Sequence, residues 1–178
     1  LKPKTKHVIC SLGVGSHFEF WGFPTENIIE KDWFEKIELD QNLTLYTTPS
    51  RHFSGRSFKR CNTLWTSFVV ETKDFKMYLG GDSGYDTHFK EIGTQFGPFD
   101  IALIDNGQYN PAWKYIHNLP EDVIKAMTTL MKSNISGERF ILVAEDVTYK
   151  ELFDSIAEIL NQAQNGKKVK KPKFEIKK

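Results

Sequence analysis

The chain has 178 residues, 39% of them hydrophobic and 26% charged, with 14 Phe and 4 Trp, a composition that supports one folded domain and excludes the low-hydrophobicity profile of a disordered chain. A formal net charge of +1 leaves no overall field to recruit nucleic acid or an anionic membrane, so neither is expected as a partner. No apolar run approaches the roughly 18 residues needed to cross a bilayer, and two cysteines, Cys10 and Cys61, are too few for a disulfide framework and read as small apolar residues.

Because the first residue is Leu1, the chain reads as a piece of a longer protein whose export signal is not assessable, and the cytoplasm is the favoured compartment. Residues 7–12 predict a short buried strand, followed by the loop Gly13-Val14-Gly15. Phe18, Phe20, Trp21 and Phe23 crowd together before Pro24; core packing is the first reading, and a lining for an acyl chain the second. Strands are predicted over 43–48, 65–71, 75–79 and 100–104, the middle pair forming a hairpin about residues 72–74.

Asn118, with Glu121 three residues on, signals a helix cap, and Val123, Met127, Leu130 and Met131 recur at helical spacing, which predicts a helix over 119–133. A strand over 139–144 follows. Thr148 and Glu151 then open a second helix with Leu152, Phe153, Ile156, Ile159 and Leu160 on one face, stopped at Asn165-Gly166 before a basic tail over 165–178. Strands first, then strand and helix alternating, make a single mixed α/β layered domain over 1–178.

Two short segments place a possible metal ligand in a loop after a strand, among small residues. One is Pro49-Ser50-Arg51-His52-Phe53-Ser54-Gly55-Arg56; the other is Gly80-Gly81-Asp82-Ser83-Gly84-Tyr85. Imidazole nitrogen and carboxylate oxygen suit zinc, manganese or iron(II). Taken singly, His52 reads first as a loop histidine bonded to backbone, and Asp82 could equally be a turn residue. His7, His17 and His88 read as structural or surface residues.

Taken in order with Thr63-Leu64-Trp65-Thr66-Ser67-Phe68, Glu91-Ile92-Gly93, Gly97-Pro98-Phe99-Asp100, Asn106-Gly107-Gln108-Tyr109-Asn110-Pro111 and His117, these segments resemble the later motifs of the metallo-β-lactamase superfamily. The branch resembled holds N-acylphosphatidylethanolamine-hydrolysing phospholipase D and the L-ascorbate-6-phosphate lactonases. The resemblance implies an αββα sandwich and a site for two Zn2+, Mn2+ or Fe2+ ions. It implies that His52 is a metal-binding histidine and Asp82 the carboxylate that bridges the ions. A metal-bound hydroxide there would attack a phosphodiester, ester or lactone. His117 matches a histidine near the active site that could assist proton transfer, against a plain reading as the residue before a helix cap. Asn106, Tyr109 and Trp113 lie in a loop after a strand and are the candidates for contact with a small-molecule or lipid-like substrate.

The sequence departs from the family at two places. No His-x-His-x-Asp-His segment occurs, and where the family has a last histidine after the strand over 139–144 this chain has Glu145 and Asp146, either a possible oxygen ligand. Three protein groups usually hold a catalytic zinc. The full-length protein is therefore the expected enzyme, and the rival reading of this chain is a binding or structural domain that has lost its metals. Half of a sandwich would expose a sheet face, which makes an oligomer or poor solubility the expectation; a clean monomer in size-exclusion chromatography would count against it.

Overall fold

The computed structural model describes residues 4–55, 58–106 and 110–130. Two strands, β1 (Val8–Ser11) and β2 (Ile28–Lys31), form a small parallel pair, with the short helix α1 (Gly15–Phe20) between them in sequence. The main sheet has the order β3-β4-β5-β6-β7, built from Lys36–Asp40, Leu43–Pro49, Thr66–Glu71, Lys76–Leu79 and Ile101–Leu103. Its pairings are antiparallel except the last, β6 with β7, which is parallel. That parallel step needs a crossover, and α2 (His88–Phe96) lies in it.

Alternation sorts the sheet's side chains onto two faces. Tyr46 opposes Val69, Val69 opposes Tyr78, and Tyr78 opposes Ala102. This face meets Phe89, Ile92 and Phe96 of α2 and Ala126 and Leu130 of α3 (Pro120–Leu130) in one core. One residue along each strand, Leu45, Val70, Met77 and Ile101 form the opposite face, with Val70 and Met77 buried. A sheet apolar on both faces belongs to a layered sandwich rather than a half-wet sheet.

Helices α2 and α3 approach closely at Gly93, where an added Cβ would lie 2.6 Å from the carbonyl oxygen of Thr129. Neither backbone can yield without parting the helices. Gly93→Ala is expected to cost about 2 kcal/mol of stability, within the usual range for overpacking, read as a lowered denaturation midpoint at unchanged slope.

The predicted strands over 43–48, 65–71, 75–79 and 100–104 are β4 to β7, and the hairpin about residues 72–74 joins β5 to β6. Several expectations are corrected. The Phe18, Phe20, Trp21 and Phe23 cluster is not core. Phe20 is 87% and Trp21 56% exposed, because α1 has six residues and lies beside the small pair; the rings pack on one another instead, Phe18 against Trp21 and Phe23 at 5.4 Å between centroids. Cys10 is buried as expected, but Cys61 is exposed.

Asn118 does not cap α3. The Leu119 carbonyl accepts from the N–H groups of Asp122 and Val123, so the helix starts at Pro120, whose fixed φ suits a first helical position. The Asn118 side chain is buried without a hydrogen-bond partner among the described residues. Tyr109, the end of the predicted helix from Met131, the strand over 139–144, Glu145, Asp146, the second helix and the basic tail lie outside the described residues.

Candidate metal centre

The pairing pattern brings four chain segments to one edge of the main sheet. β4 ends there at Pro49, which pairs with Thr66 at the start of β5, while β6 and β7 end there at Leu79 and Leu103, which pair with each other. His52, Trp65, Asp82 and Asp105 thus all lie within three residues of a strand end on the same side. No local pattern could produce this convergence; the antiparallel and parallel steps of the sheet do.

Hydrogen bonds sew these loops together. Ser50 Oγ donates to the Gly80 carbonyl at 3.0 Å, the Arg51 N–H donates to Ser83 Oγ at 3.0 Å, and the Gly84 N–H donates to the Arg51 carbonyl at 2.9 Å. The Arg51 guanidinium pairs with Asp86 at 3.0 Å, donates to the Tyr85 carbonyl at 3.1 Å, and stands 4.8 Å from the centroid of the Tyr115 ring. One arginine therefore ties the His52 loop, the Asp82 loop and the segment leading to His117. Below it, Ser83 Oγ lies 3.1 Å from Nε2 of the buried His88.

Burial pushes the His88 imidazole down to about 4; the Arg51 charge adds to the fall and Asp86 opposes it. A histidine whose folded value lies below its unfolded 6.5 keeps its full contribution to stability above pH 6.5 and loses it as pH falls towards 4. The loss is expected to be on the order of 3 kcal/mol. Denaturant midpoints between pH 7 and pH 4 should show this slope in the wild type and a flatter one in His88→Gln. Of the two readings the sequence allows for His88, structural or surface, its burial and its contact with Ser83 favour the structural one.

Asp82, Asp105 and His117 offer ligand atoms that all lie within 4.8 Å of one another; Asp82 is exposed and the other two half-buried. His117 Nδ1 is 2.6 Å from Asp105 Oδ2. Burial raises the Asp105 carboxyl above its ordinary range and the Asp82 charge adds to the rise, while the His117 hydrogen bond and a backbone bond from Ser83 hold it down. Two carboxylates brought this close repel, and a cation between them would relieve the repulsion.

His52 stands beside this group, its ring 5.4 Å from the His117 ring. Its Nδ1 lies 2.8 Å from the Phe53 carbonyl. A carbonyl only accepts, so Nδ1 carries a hydrogen; in the neutral ring Nε2 then holds the lone pair, the form a metal-binding imidazole takes. The backbone bond considered for His52 from sequence and a metal-binding role are thus compatible. Trp65 braces both sides: its ring stacks on His52 at 4.3 Å, and its indole N–H donates to the Asp82 carbonyl at 2.9 Å.

Of the predicted site residues, the structure groups Asp82 with His117 and places His52 against His117. Trp113 is partly exposed with its ring 6.2 Å from that of His117, and Asn106 is exposed beside Asp105. Sequence reasoning missed Asp105, whose only signal was a carboxylate at the end of an apolar run, and the bracing role of Trp65. The donor set, one imidazole and two carboxylates with a second imidazole adjacent, fits zinc, manganese or iron(II).

Comparison with known proteins bears on the family and the fold. A family model described as Beta-lactamase superfamily domain matches residues 1–143. An uncharacterized protein of Mycobacterium tuberculosis is 44% identical over 118 residues, which cover 66% of this chain and 32% of that protein. N-acyl-phosphatidylethanolamine-hydrolyzing phospholipase D 1 of Caenorhabditis elegans is 28% identical over 152 residues, covering 80% of this chain and 43% of that one. The chain therefore spans less than half the length of either relative. Among solved structures, a metallo hydrolase from the archaeon Ignicoccus hospitalis shares the fold with a TM-score of 0.53 at 19% identity, over 70% of this chain and 49% of the other. With a family model matched across 143 residues and a mixed α/β fold shared with a metallo hydrolase, the chain belongs to the metallo-β-lactamase superfamily.

Proposed function

We propose that this chain forms the metal-holding edge of a hydrolase that cleaves phosphodiester, ester or lactone substrates. The observation that carries the reading is the meeting of Asp82, Asp105 and His117 within 4.8 Å, at a sheet edge where the loops after β4, β6 and β7 converge. Asp82, His117 and His52 would hold the cations, with Asp105 in the same group. A divalent cation there supplies an acidified water and neutralises charge developing on a phosphoryl or carbonyl oxygen.

The remaining tasks fall to side chains of this chain. Asn106 and Trp113 border the site and would contact the substrate, as would Tyr109. Held to a cation through Nε2, His117 would not at the same time pass a proton to the leaving oxygen, so we read it as a ligand rather than a proton donor. A lipid-like substrate is supported by the likeness to the nematode phospholipase and by exposed apolar surface near the edge. Leu12 is exposed, and its carbonyl accepts from the N–H of Leu64, next to Trp65.

The test is turnover by the full-length protein, loaded with zinc or manganese, against a panel of phosphodiesters and lactones. Turnover of either class, abolished by chelation and restored by the metal, is expected. Metal-loaded, folded protein that turns over neither class would overturn the proposal.

A further inference from the structure

We propose that Asp105 is a positioning residue that fixes His117 as its Nδ1–H tautomer, leaving Nε2 as the nitrogen with the free lone pair. The inference rests on the metal-site reading for its consequence, though not for its geometry.

The contact between His117 Nδ1 and Asp105 Oδ2 is 2.6 Å, the short distance of a charge-assisted bond. A carboxylate offers only lone pairs, so the hydrogen of the neutral ring sits on Nδ1. The pair is sheltered, with 19% of the His117 side chain and 12% of the Asp105 side chain exposed, so water competes weakly for either partner. Asp105 is itself held: it follows β7 by two residues, and a backbone hydrogen bond from Ser83 also reaches it. A carboxylate gripped from two sides resists rotation and transmits its orientation to the ring. Trp113 and His52 flank that ring at 6.2 and 5.4 Å.

His52 reaches the same tautomer by another route, through the Phe53 carbonyl. Two neighbouring imidazoles are thus set alike, one by a backbone acceptor and one by a side chain from a different strand. A ring free to choose its tautomer would present a lone pair at Nε2 only part of the time. Carboxylate partners of metal-binding histidines act in this way, and their loss costs about 10–100-fold in metal affinity.

Nitrogen-15 NMR of histidine-labelled, metal-free chain tests the assignment without any activity. Wild-type His117 is expected to show a pyrrole-type Nδ1 and a pyridine-type Nε2. In Asp105→Asn, whose amide can donate as well as accept, the two signals should average or exchange types, and metal affinity should fall about 10–100-fold. Asp105→Glu, which keeps the carboxylate acceptor, should retain the wild-type pattern. A wild-type His117 protonated at Nε2 would overturn the proposal, as would an unchanged pattern in a folded Asp105→Asn chain. Neither result bears on turnover by the full-length protein, so failure here is separable from failure of the hydrolase reading.

Discussion

Replacing Asp82 by alanine is expected to weaken divalent-metal binding by more than about 100-fold, beyond what loss of an outer carboxylate partner costs, while leaving the fold intact. The side chain is exposed, and the hydrogen bond that anchors this residue to Trp65 uses its backbone carbonyl, which alanine keeps. Removing the charge also takes away a minor part of what raises the Asp105 carboxyl, burial being the main cause. Stability should therefore change by no more than about 0.5 kcal/mol, as for an ordinary surface position. Calorimetric titration with zinc or manganese, paired with thermal unfolding, separates the two effects. A variant that binds metal as well as the wild type would remove Asp82 from the site.

Gly84→Ala is expected to have the opposite signature, a large loss of stability. A Cβ built on Gly84 would lie 2.4 Å from both the carbonyl carbon and oxygen of Tyr115 and 2.8 Å from the Ile116 nitrogen. All three are backbone atoms, so no rotamer change opens space. The Asp82 loop and the segment leading to His117 must part, which strains the Arg51 contacts that join them and the His117–Asp105 bond. A cost of about 3 kcal/mol, the upper part of the range for overpacking, corresponds to a fall in Tm of roughly 6–12 °C for a chain of this size. Thermal unfolding checks it, and an unchanged Tm would mean the two segments do not touch as described.

These contrasts show what was readable in the residues. β4, β5 and β6 were legible because they alternate or run apolar, and the hairpin because its turn is short and polar. β2 and β3 were not, since Ile-Ile-Glu-Lys and Lys-Ile-Glu-Leu-Asp mix charge with apolar residues at an edge; Ile37 is the one buried residue of β3. His52 and Asp82 stood out through their flanking motifs. Asp105 did not, because its partner lies twelve residues on and is reached only after the chain folds back over the sheet edge. The Phe20 and Trp21 pair misled for a physical reason: aromatic density signals burial, but a six-residue helix beside a two-stranded pair offers little to bury against.

The metal content of the folded chain tests the account most directly. After incubation with zinc, manganese or iron(II) and removal of excess by gel filtration, elemental analysis should find close to one or more equivalents of metal per chain, lost in parallel when Asp82 or His117 is replaced by alanine. A folded wild-type chain that retains no metal would contradict the account, and would favour a binding domain that keeps the superfamily fold without its ions.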